Sequence, residues 1–145
     1  MVAKKLLIVT AFVETATGLM LLVSPTLVVT FLLGASLDAQ AALVVARTGA
    51  ALLSLGCACW LARNDGPNRA VPGLVAAMLL YNTVAVAVLA NAGAGARLVG
   101  VLTWPAVALH AALAVWCIAC LRPLLSRRAR PRHPTSQARE TQPRR

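Results

Sequence analysis

The chain has 145 residues, 59% of them hydrophobic and only 12% charged. So few charged side chains cannot coat a water-soluble domain of this size, so a soluble globular fold is excluded. The net charge of +10 is no nucleic-acid footprint either, because eight of the 14 basic residues lie at or after Arg122, in a proline-punctuated end segment.

Four apolar stretches follow one another at roughly 5–33, 39–62, 70–90 and 98–121. Each is long enough to cross the ~30 Å of hydrocarbon as a helix. Lipid leaves backbone amides no water to bind, so only helices or closed barrels span it. These runs are continuous and rich in Ala, Leu and Val rather than alternating, which excludes a barrel. The predicted fold is all-α: a polytopic transmembrane four-helix bundle in residues 1–121.

The first stretch exceeds one span and is broken at Ser24-Pro25. Serine favours the helix N-cap and proline the first helical position. This predicts a span over about 4–23 and a short helix over about 25–33, ending at Gly34 and lying at the interface or against the bundle. Ser36 or Asp38 should cap the second span, about 39–62. "NDGPN" reads as a turn, and Pro72 falls in the first turn of the third span, about 70–90, where its missing donor costs little. "NAGAGAR" is a short loop before the fourth span, about 98–121, in which Pro105 should produce a kink. Small residues let helix backbones approach in lipid. Ala42, Ala46, Gly49 and Gly56 of the second span, with Gly73 and Ala77 of the third, are the expected contacts.

Residues 122–145 are basic, poor in apolar side chains and expected to be disordered. With four spans this tail shares a side with Lys4, Lys5, Arg63 and Arg69, while Arg97 stands alone opposite and Arg47 lies inside a span. The positive-inside rule then puts both termini in the cytoplasm. The tail serves as a topology anchor on anionic headgroups, each basic residue there contributing about 1 kcal/mol. The lipid bilayer is thus the expected partner, with a membrane protein or a second copy beside it, and nucleic acid is not expected. A cleaved signal peptide is the rival reading of "MVAKKLLIVTAFV". Against it, Glu14 follows at once, no A-x-A site lies close behind, and cleavage would leave three spans.

Every span carries a strongly polar residue: Glu14 in the first, Arg47 in the second, Tyr81 and Asn82 in the third and His110 in the fourth. Measured from the cytoplasmic ends, Glu14 stands roughly 12–15 Å deep, Tyr81, Asn82 and His110 roughly 16–18 Å, and Arg47 roughly 22–24 Å. An ionisable residue at mid-membrane costs ~2.5–3.5 kcal/mol even on the lenient insertion scale, so four coincidences at similar depth call for a reason. Two reasons compete. Glu14 and Arg47 can form a structural ion pair, with Tyr81, Asn82 and His110 as hydrogen-bonding glue. Alternatively, the five residues build a polar site for a ligand, proton or substrate. The ion pair is strained by geometry: side chains lean toward their own helix N-terminus, so Glu14 and Arg47 lean apart. Stripes of small and hydroxyl residues accompany each group: Thr10, Thr17 and Gly18 with Glu14, Ala51 and Ser54 with Arg47, and Thr103, Ala106 and Ala114 with His110. They suit an interior better than lipid. No second histidine lies in a span, so no metal is assigned.

The cysteines fall near the cytoplasmic ends of the second and fourth spans. Cys57 and Cys59 are about 200° apart on a helix and cannot face one partner. Cys117 and Cys120 share a face, as a dithiol redox pair or soft-metal site requires, but they face a reducing compartment. Cysteine as a small apolar filler is the simpler account.

"ETATG", "LLVSP", "LLG", "ARTGAALLSLG", "CWLAR", "LLYN" and "WPAVALH", together covering about residues 6–121, resemble the DoxX-like small bacterial membrane proteins. The resemblance implies a four-helix bundle of the bacterial inner membrane. It implies a loose association with respiratory or sulfur-compound oxidation, and no catalytic residue carries over from it. Three functions follow as expectations. The chain is an accessory or small-molecule-binding membrane protein whose polar layer holds the ligand. Or it is a quinone-linked oxidoreductase subunit, with His110 and Tyr81 near a quinone cofactor and Cys117 and Cys120 as a dithiol. Or it is a structural subunit of a membrane complex, with the polar layer as an internal lock.

Overall fold

The structure is a computed structural model that describes residues 2–65 and 70–129. Those residues form five helices: α1 (Val2–Val23), α2 (Pro25–Leu33), α3 (Ala39–Ala62), α4 (Ala70–Ala94) and α5 (Thr103–Ala129). All but α2 contain a segment long and apolar enough to cross a membrane, in α5 the stretch Thr103–Ser126. The protein is an all-α bundle of four spanning helices and one short helix.

The chain breaks where the sequence prescribes. Ser24 stands at the N-cap of α2 with Pro25 behind it, although the serine side chain makes no capping hydrogen bond. Gly34 closes α2 in the left-handed conformation, φ 65°, that glycine adopts without steric cost. Asp38, not Ser36, caps α3: its Oδ1 accepts from the Ala41 N–H at 2.7 Å.

The fourth span differs from its expected bounds of 98–121. It starts at Thr103, because the Thr103 hydroxyl accepts from the Gly100 N–H at 2.9 Å and donates to the Leu32 carbonyl, which holds residues 98–102 in a loop against α2. The Leu102 N–H adds a bond to the Phe31 carbonyl at 3.0 Å. Pro105 therefore falls in the first turn of α5, where no ladder bond is lost, and the expected kink has no cause. The interior proline is Pro123. α5 runs on to Ala129, with Leu124 packed on the core, so the start of the expected disordered tail is helical. Residues 130–145 lie outside the described residues, as does part of the "NDGPN" turn.

α1 packs along α3 and α4 along α5, and the two pairs meet more lightly. The first pair is close because glycines face each other: a Cβ on Gly18 would stand 2.6 Å from the Gly49 carbonyl oxygen, and one on Gly49 2.7 Å from the Gly18 carbonyl oxygen. Gly56 continues the seam against Thr15 and the Ala11 carbonyl. The expectation for the third span fails. Gly73 has open space around it and Ala77 is exposed, so neither is a helix contact.

The main buried cluster comes from the halves of the spans nearest the chain termini. It comprises Leu6, Leu7 and Ala11 of α1, Cys59 of α3, Val71, Val75 and Met78 of α4, and Leu113, Cys117 and Cys120 of α5. All four spans converge there. Toward the other side, where α2 lies, the two pairs leave room between them.

Candidate functional site

That room is a partly open cavity of about 540 Å³. Val13, Glu14, Thr17 and Met20 of α1 form one wall, Leu27, Val28, Phe31 and Leu32 of α2 the roof, and Tyr81 and Leu89 of α4 with Pro105, Ala106, Leu109 and His110 of α5 the rest. Most of the lining is aliphatic or aromatic. The polar groups gather where the helix pairs begin to converge, at Glu14, Tyr81 and His110. The cavity exists because α2, tied to the loop before α5 through Phe31, Leu32 and Thr103, holds the α4–α5 pair off the outer half of α1.

Glu14 is 1% exposed and yet belongs to the cavity wall. The phenol of Tyr81 is its neighbour on the cavity wall. Its Oε1 is buried with no hydrogen-bond partner, as is the hydroxyl of Thr10 one helical turn away. A buried acceptor without a donor costs free energy, and in hydrocarbon no water offsets it. Tyr81 in turn stands edge-on to His110, ring centroids 5.6 Å apart at 83°.

Asn82 does not line the cavity. It is fully buried between α4 and α5, behind His110. Its Nδ2 donates to the Met78 carbonyl at 2.8 Å, and its Oδ1 lies 2.8 Å from His110 Nδ1. The two bonds fix each other. A carbonyl oxygen cannot face another carbonyl, so the amide nitrogen must point to Met78, which leaves Oδ1 toward the ring. His110 Nδ1 is then the donor, and the neutral ring keeps its lone pair on Nε2.

Four of the five polar residues read from the sequence thus come together: Glu14, Tyr81 and His110 on the cavity and Asn82 as the support of His110. Arg47 does not join them. It is exposed on α3, on a face with Ala51 and Ser54 that are exposed too, and no ion pair joins it to Glu14. Its stripe of small residues therefore faces out of the bundle. Arg47 lies about 12 Å along α3 from Ala39, and a side chain there leans back toward the helix start. That is the position from which a long cationic side chain reaches the headgroups.

Cys57 is exposed, whereas Cys59, Cys117 and Cys120 are buried, and all four are free thiols. Cys59 Sγ lies 3.9 Å from Met78 Sδ within the main apolar cluster. Among the described residues no three His, Cys, Asp or Glu side chains are placed to hold a metal ion. The cysteines lie on the terminus side of the core and do not line the cavity.

The roof formed by α2 was not visible in the sequence as part of any site. Its only signal was the apolar "PTLVVTFLL" being too short to span. The chain matches no family model, no curated protein and no solved structure.

Proposed function

We propose that this membrane protein binds a small lipid-soluble molecule in the cavity between its two helix pairs. One observation carries the reading: a space of about 540 Å³, within the 300–1,000 Å³ range typical of ligand sites, with its few polar groups converging at one end. The apolar walls would take the body of the ligand, and Glu14, Tyr81 and His110 its polar end. Asn82 would hold His110 in one tautomer and orientation. Arg47 has no part in this site, and the cysteines serve as apolar packing. A purely structural lock gains nothing from a hollow beside its polar groups, whereas a binding site needs one.

We extend the proposal to setting. The DoxX-like resemblance, the crowding of basic residues on the terminal side and the four spans support a bacterial inner-membrane protein with cytoplasmic termini. A reporter fused at the C-terminus tests this, with activity expected only from a cytoplasmic reporter.

Photolabelling tests the binding reading. A short alkyl diazirine, irradiated with the protein in nanodiscs, should label Val28 and Leu32, and Ala106→Phe, which occupies part of the cavity, should weaken that labelling. Labels confined to outward side chains of the spans such as Leu43 and Leu80, unchanged in the variant, would contradict it.

A further inference from the structure

The hydrogen-bonding character of the polar end restricts what can sit there. His110 Nδ1 is committed to Asn82 Oδ1, so the neutral ring has only an acceptor, Nε2, left to offer. The Tyr81 phenol has one proton, and its neighbour is the Glu14 carboxyl. Glu14 brings two acceptor oxygens when ionised, one of them without a partner. The remaining polar side chain on the wall is the hydroxyl of Thr17. Among the described residues no lysine or arginine lines the cavity, and Arg47 of α3 is exposed outside it. The site is therefore rich in acceptors, poor in donors, and carries one carboxyl without a counter-charge.

A quinone carbonyl, itself an acceptor, finds little to bind here. A group with N–H donors and positive charge finds the Glu14 carboxyl on the cavity wall and the lone pair of His110. Its charge would also offset the cost of a carboxylate away from water. The rest of such a molecule must be apolar to match the lining.

We infer that the cavity selects lipophilic amines in their ammonium form, with Glu14 as the counter-charge and His110 as a second acceptor for the ammonium hydrogens. The inference rests on the binding reading above and narrows it to a ligand class.

Two compounds that differ in one group separate the two claims: benzhydrylamine, cationic at neutral pH, and its neutral alcohol, benzhydrol. Each is titrated calorimetrically into the protein in zwitterionic nanodiscs, with empty discs subtracted for partitioning. The amine should saturate and bind at least about tenfold more tightly than the alcohol, a difference of ~1.4 kcal/mol. Glu14→Gln should bring the amine down to the level of the alcohol and leave the alcohol unchanged. Equal saturable binding of both compounds would overturn the cation inference while leaving the binding site in place. No saturable binding of either compound to the wild-type protein would overturn both. The comparison on the wild-type chain needs no variant, so a Glu14→Gln protein that fails to fold does not remove the test.

Discussion

Replacing Gly18 by alanine should pry α1 from α3 where their backbones approach most closely at a glycine. The added methyl would stand 2.6 Å from the Gly49 carbonyl oxygen, 2.7 Å from the Leu53 nitrogen and 3.3 Å from the Leu52 Cβ. The two closest atoms are backbone, so no rotamer change relieves the clash and α1 must move off α3. Overpacking of this kind costs about 1–3 kcal/mol, and backbone neighbours put Gly18 at the upper end. Gly73→Ala is the control, because a Cβ there meets nothing within 4 Å. Removing a helical glycine without a clash should stabilise by about 0.5–1 kcal/mol. The two variants should therefore fall on opposite sides of the wild type, about 1.5–4 kcal/mol apart. Unfolding in mixed micelles, driven by added SDS and followed by circular dichroism, measures both. A Gly18→Ala protein as stable as Gly73→Ala would refute the glycine seam as the basis of α1–α3 packing.

The Asn82–His110 bond should appear as an energetic coupling between helices α4 and α5. A double-mutant cycle of Asn82→Ala and His110→Ala, read by the same unfolding assay, should give about 0.6–1.7 kcal/mol, the range of interhelical hydrogen bonds in membranes. Purely additive losses would mean that the pair does not act as a unit. Among the four thiols, Cys57 should react with a membrane-permeant maleimide in the folded protein, whereas Cys59, Cys117 and Cys120 should react only after denaturation, as followed by mass spectrometry. Early modification of Cys117 and Cys120 would favour a redox role for that pair over apolar packing.

Depth in the membrane was legible in the sequence, but direction around each helix was not. Counting residues from the ends placed Glu14, Tyr81, Asn82 and His110 at one level, and they do meet. The same count places Arg47 ~8–10 Å farther from the cytoplasmic ends than Glu14, and it faces out. In water a helix shows its inner face by hydrophobic periodicity. In lipid both faces are apolar, because surrounding chains are no more polar than a leucine. Without that periodic signal, Ala51 and Ser54 beside Arg47 look like an interior stripe, and Gly73 looks like a contact. Capping and breaking signals fared better because they are local. Ser24-Pro25, Gly34 and Asp38 mark helix ends through their own backbone and side-chain chemistry. The loop before α5 escaped the sequence reading for the opposite reason: the Thr103 hydroxyl that shapes it bonds to Leu32, far back along the chain. The cavity depends on that long-range tie, so its roof could not be read from any one segment.

The central claim is that the bundle is hollow beside Glu14, Tyr81 and His110, and the stability of Ala106→Phe tests it most directly. Ala106 lines the cavity. A phenyl ring placed in empty space should leave the unfolding free energy within about 0.5 kcal/mol of the wild type or raise it. A loss of about 1–3 kcal/mol, the signature of forcing a large side chain into a filled interior, would show that the polar layer is locked shut and contradict the account.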